Sequence, residues 1–172
     1  MTVTAFSNCD EVELQLNGRV VGRKVLSERA AAAWEVPYET GQLAAIGYVG
    51  GRECAREVLR TAGAPARLEA TFDRQEIQTA EVVHVVLKTV DTNGVAFPHF
   101  ETAVTVTVAG AGTLLGLDNG IQTDPTPLRS SIRVPEQGRL LALIQAGKAA
   151  GPLTFMATAD GLEPLEVTIQ VR

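Results

Sequence analysis

Hydrophobic and polar positions alternate along most of this chain. Glu11-Val12-Glu13-Leu14-Gln15-Leu16 puts every second residue on an apolar face. A period of two predicts a strand with one wet side and one dry side. Asn17-Gly18 follows, then Arg19-Val20-Val21-Gly22. Asn-Gly between two such runs predicts a two-residue hairpin, because a type I′ turn needs positive φ at both central residues. Gly50-Gly51 predicts a second hairpin, joining residues 43–48 to 52–59. The one stretch with helical character, Ala30 to Ala33, is too short to stand alone. It runs into Trp34-Glu35-Val36-Pro37, where Trp34 and Val36 alternate inward and Pro37 suits a strand end or edge.

Thr61-Ala62-Gly63-Ala64-Pro65-Ala66 is rich in small residues and reads as a joint between domains. The strand pattern restarts after it, over residues 67–72, 82–89, 102–109, 113–117, 139–145, 153–157 and 165–171. Asp91-Thr92-Asn93-Gly94 is a turn. In 102–109, Val104, Val106 and Val108 share one face, with Thr105 and Thr107 on the other. In the last run, Leu165, Val167, Ile169 and Val171 share a face. Short strands at this spacing predict an immunoglobulin-like sandwich, although this half lacks the cysteines that bridge antibody domains. The expected fold is therefore all-β: two consecutive immunoglobulin-like β-sandwich domains, residues 1–62 and 63–172. A first domain of about 60 residues is marginal alone. It is expected to dock on something larger.

Composition narrows the partners. Aromatic residues are only 5% of the chain, so the core must rest on Val, Leu, Ile and Ala. The net charge is −5, with acidic and basic residues interleaved and no basic patch to follow a phosphate backbone. Nucleic acid is not an expected partner, whereas a neutral ligand such as a sugar is compatible. No apolar run approaches the roughly 20 residues of a membrane span. The first residues lack a signal-peptide pattern, which leaves the compartment open for an excised segment. Cys9 and Cys54 allow at most one internal disulfide and are expected to be free, largely buried thiols. Trp34 is the single tryptophan. In an aromatic-poor β domain it reads as the central packing residue, with sugar stacking as the alternative.

No residue stands out as catalytic, cofactor-binding or metal-ligating. Glu11, Glu13, Glu35, Glu69 and Glu166 fall on wet faces of strands or in turns. Asp118-Asn119-Gly120 is a turn, with a ligand or metal role as the lesser reading. Asp124 adds one oxygen nearby, far short of the six to eight that calcium takes. His84 is a strand histidine and His99 a loop residue, too far apart for metal-ligand spacing. Ser7, Ser27, Ser130 and Ser131 form no nucleophile elbow. Gly110-Ala111-Gly112 lacks the lysine and helix of a phosphate loop and reads as a turn.

A string in the first domain is more informative. It comprises Ser7-Asn8-Cys9-Asp10-Glu11-Val12-Glu13-Leu14, Leu16-Asn17-Gly18, Gly22-Arg23-Lys24, Trp34-Glu35-Val36-Pro37-Tyr38, Gly41-Gln42-Leu43, Gly47-Tyr48 and residues 61–65. This resembles the small domain that follows the catalytic barrel in many bacterial glycoside hydrolase family 2 β-galactosidases. In the second domain, Asp73-Arg74, Gly116-Leu117-Asp118-Asn119-Gly120 and Leu141-Ala142-Leu143-Ile144-Gln145 resemble the immunoglobulin-like domain that comes next. Two stretches depart from the family pattern. Ile121 stands where an acidic residue is usual, and the run Arg133-Val134-Pro135-Glu136-Gln137-Gly138 is atypical.

The resemblance implies a non-catalytic C-terminal accessory region whose partner is the catalytic barrel of the same polypeptide, with a homo-oligomer interface as a further possible role. The family's two glutamates project from a (β/α)₈ barrel of roughly 250 residues, more than this chain holds. Two other readings stand beside this one. One is a carbohydrate-binding module with weak sugar affinity; the other is a cell-surface adhesin or spacer.

Overall fold

The computed structural model describes residues 1–26, 31–74 and 76–172, so Ser27 and Ala30 lie outside the described residues. The chain divides into two compact units, Met1–Thr61 and Ala62–Arg172. Both are built from antiparallel strands, and no helix occurs among the described residues.

Unit 1 holds β1 (Thr2–Phe6), β2 (Glu11–Leu16), β3 (Arg19–Val25), β4 (Ala31–Glu35), β5 (Gln42–Val49) and β6 (Arg52–Arg60). Four strands form a sheet in the order β3-β2-β5-β6, and β1 pairs with β4 in a second sheet. Val12, Leu14 and Leu16 of β2 are buried against Ala32, Trp34 and Val36. Burying such an aliphatic side chain is worth about 1.5–3 kcal/mol, so these few residues carry most of the unit. Asn17 and Gly18 have φ of 51° and 77°, and Gly50 and Gly51 have 55° and 78°, so both hairpins turn through the left-handed region that the dipeptides predict. Strand β1 is not among the strands expected from sequence. Its Val3 and Ala5 are small and only partly buried against the core, and the strand exists because it pairs with β4.

Unit 2 holds β7 (Arg67–Phe72), β8 (Val82–Val90), β9 (Val104–Gly110), β10 (Gly112–Asp118), β11 (Ile132–Arg133), β12 (Arg139–Ala146), β13 (Gly151–Ala159) and β14 (Leu165–Val171). They form two four-stranded sheets, β10-β12-β8-β7 and β11-β9-β13-β14. Every second residue of the central strands is buried: Val83, Val85 and Leu87 of β8, Leu140, Ala142 and Ile144 of β12, Leu153, Phe155 and Ala157 of β13. Phe72 meets Phe155 edge to face, with ring centroids 5.8 Å apart. The seven predicted strands are present. The two-residue β11 is an addition, too short to leave a periodic signal.

Candidate functional site

Trp34 projects from β4 into the core of unit 1 and is only 7% exposed. Gly22 makes room for it: a Cβ there would lie 3.0 Å from the indole Nε1. The Lys24 ammonium sits over the ring, 5.4 Å from its centroid, and donates to the Ala33 carbonyl. A buried ring of this kind offers no platform to a sugar, which supports the packing reading. Its Nε1 has no acceptor among the described residues.

The best-organised polar cluster lies between β10 and β12 in unit 2. Here the chain leaves β10 at Asp118, turns through Gly120 and returns at Arg133. Asp118 accepts from the Gly120 N–H at 2.8 Å, which closes the turn expected from sequence. Arg133 donates to Asp124 Oδ2 at 2.7 Å and to the Thr126 carbonyl at 2.5 Å. Asn119 Nδ2 reaches the same Asp124 oxygen at 2.8 Å and the Val134 carbonyl at 3.0 Å. The Thr126 N–H takes Asp124 Oδ1 at 2.8 Å. The Arg133 side chain is 2% exposed. Both oxygens of Asp124 are therefore engaged, and its charge is matched by a guanidinium. The Asp124 carboxylate, the further oxygen near the Asp118 turn, faces Arg133 rather than open space. The cluster is a strut that ties a long loop to β11.

A buried carboxylate, Asp91, was visible in the sequence only as a turn residue. It accepts three backbone N–H groups: Gly63 at 2.8 Å, Asn93 at 2.8 Å and Val95 at 2.9 Å. It closes the turn that Gly94 enters with φ of 78° and holds the segment leading into β7. The Gly63 N–H is the chief reason that the Asp91 carboxyl lies below its ordinary value. For Asp124 the chief reason is the Thr126 N–H. A carboxyl depressed on folding stabilises the fold above its unfolded value, near pH 4, and ceases to do so as pH falls through its folded value. The melting midpoint of unit 2 should thus be steady above about pH 5 and fall steeply below about pH 4. Asp91→Asn should flatten part of that fall. A midpoint that holds from pH 7 to pH 2.5 would contradict the assignment.

The other titratable residues are dispersed. His84 Nδ1 meets Asp73 Oδ2 at 3.2 Å on the wet side of β8, and Arg74 bridges Asp73 to Glu81. His99 lies in a turn with its ring edge-on to Phe97. Glu11 pairs with Arg23, Glu69 with Arg67, and Glu35 accepts from Thr2. Glu13 accepts from Gln15, and Glu166 is exposed on β14. Ser7 accepts the Cys9 N–H and Ser130 caps Ile132, while Gly110, with φ of 80°, turns β9 into β10.

The cysteines depart from the expectation in one respect. Cys9 is buried, but Cys54 is exposed, because β6 is an edge strand that the β1–β4 sheet leaves largely uncovered. Three cavities lie within single units among the described residues, and Glu57 is the one carboxylate among the residues that line these three.

Residues 68–168 match a family described as glycoside hydrolase family 2 C-terminal domain 5. Residues 1–55 match a domain of unknown function, DUF4982. The β-galactosidase BoGH2A of Bacteroides ovatus is 33% identical over 162 residues, covering 91% of this chain and 19% of that protein. A putative β-glucuronidase of Formosa agariphila is 31% identical over 129 residues, covering 72% of this chain and 12% of the relative. The crystal structure of a β-glycosidase from Bacteroides vulgatus superposes with a TM-score of 0.95 and 27% identity, covering 99% of this chain and 22% of that one. The chain thus spans about a fifth or less of the length of these proteins.

Proposed function

This chain belongs to the C-terminal domains of glycoside hydrolase family 2, and from that premise we propose that it is a non-catalytic segment of a β-galactosidase-like enzyme, packing against and steadying the catalytic barrel. The observation that carries the proposal is the extent of the match. Both units together align with one solved β-glycosidase over 99% of this chain while covering only 22% of that enzyme.

Unit 1 supports a packing role. Its two-stranded sheet covers only part of the four-stranded one. Beside the gap lies a cavity of about 270 Å³, lined by Val3, Phe6, Leu14, Leu43 and Leu59 among others. Phe6 is 83% exposed and Leu59 62%. An apolar shelf of this kind on a unit of about 60 residues is what a larger body would cover. Sugar binding through Trp34 is the weaker reading, because the ring is inside the core. The relatives' names cover different sugars, and the 33% identity to BoGH2A favours a galactoside over a glucuronide.

Two measurements test it. The purified chain should give no turnover of aryl β-galactosides or aryl β-glucuronides; activity that co-purifies with the chain would overturn the reading. The coding sequence upstream should encode a barrel of roughly 250 residues. An unrelated reading frame there would equally defeat it.

A further inference from the structure

The structure places two sulfur atoms together that the sequence holds 45 residues apart. Cys9 Sγ lies 2.8 Å from Cys54 Sγ. Cys9 precedes β2, and Cys54 lies on β6, with β5 between those strands in the sheet. Two local features let the sulfurs meet across β5. The first is Gly47 on β5, where a Cβ would lie 2.5 Å from Cys9 Sγ. Only glycine leaves the path open. The second is a register shift: Gly47 pairs with Ala55 and Tyr48 with Glu53, so Cys54 is the extra residue of a β-bulge. Asp10 fixes the approach. Its N–H donates to the Tyr48 carbonyl at 2.9 Å, and its carboxylate accepts the Gly50 N–H at 2.9 Å.

We propose that Cys9 and Cys54 are a built disulfide site that closes by exchange with a small-molecule disulfide and locks β6 onto the head of β2. Disulfide sulfurs sit about 2.05 Å apart, so closure needs only a small movement of side chains already aimed at each other. The exposed Cys54 reacts first. Its thiolate attacks one sulfur of the small disulfide and expels one thiolate, leaving a mixed disulfide. Cys9 then gives up its proton, attacks the Cys54 sulfur and expels the second small thiolate. Two protein thiols lose two electrons, the small disulfide gains them, and the two protons end on the released thiols. The bond forms in oxidising surroundings and opens where glutathione or thioredoxin keeps thiols reduced.

The test uses the whole chain. After equilibration with excess oxidised glutathione and quenching by an alkylating agent, the expected product is a monomer lighter by two hydrogens. Digestion should release a linked peptide containing Cys9 and Cys54. The melting midpoint of unit 1, followed by Trp34 fluorescence, should rise by roughly 10 °C over the reduced chain. Cys9→Ser should stop at a stable glutathione adduct on Cys54, and Cys54→Ser should show no shift. A wild-type chain that itself stops at the adduct, forms only disulfide-linked dimers, or alkylates fully at both thiols would overturn the proposal.

Discussion

Trp34→Ala should unfold unit 1. The substitution removes the largest side chain of a core otherwise made of Val12, Leu14, Leu16, Ala32 and Val36. Truncating a buried Trp costs about 3–5 kcal/mol, from lost transfer energy and the cavity left behind. A domain of about 60 residues has a total stability on the order of 3–9 kcal/mol. The loss is therefore comparable to everything that keeps the unit folded. Far-ultraviolet circular dichroism and amide exchange should show strands β1 to β6 open in the variant while unit 2 stays protected. Trp34→Phe should cost far less. It keeps an aromatic ring in the space beside Gly22 and discards an N–H that has no acceptor among the described residues. If Trp34→Ala melts at the parental temperature, Trp34 is not the keystone of that core.

Arg133→Met should weaken unit 2 by about 3 kcal/mol without unfolding it. The guanidinium is buried, pairs with Asp124 and holds the Thr126 carbonyl. Hydrogen bonds to a charged group are worth about 1.5–3 kcal/mol, and two are lost with the buried guanidinium, while the partly buried Asp124 keeps its Asn119 and Thr126 donors. Methionine recovers part of this by filling the space. A domain of about 110 residues has stability on the order of 5–16 kcal/mol, so a shifted but still cooperative urea transition is expected. Adding Asp124→Asn to Arg133→Met should restore part of that stability, because the stranded charge is then gone while the amide oxygen still accepts the Thr126 N–H. A double variant no more stable than Arg133→Met would show that the loop is held by packing instead.

These two side chains illustrate different degrees of legibility. Trp34 could be assigned from sequence because its neighbours alternate and it stands alone among few aromatics. Arg133 could not. In sequence it lies in an atypical run before a strand, and nothing local says that an arginine there is buried. Its partners sit seven and nine residues upstream on a loop whose path depends on both sheets. Asp91 was visible only as the start of a turn. Its third donor, the Gly63 N–H, is 28 residues away. The strand β1 went unread for a similar reason: its identity rests on pairing with β4, not on strong alternation of its own.

Sequence alone determined the all-β class, both glycine-bearing hairpins of unit 1 and the dry faces of the main strands. It could do so because turn chemistry and a period of two act within a few residues. Tertiary structure decided which polar side chains are buried and satisfied, which edge strand is left uncovered, and that Cys9 and Cys54 meet across Gly47. Each of those depends on groups from separate strands and loops being brought side by side. Only the closed sheets fix such distances.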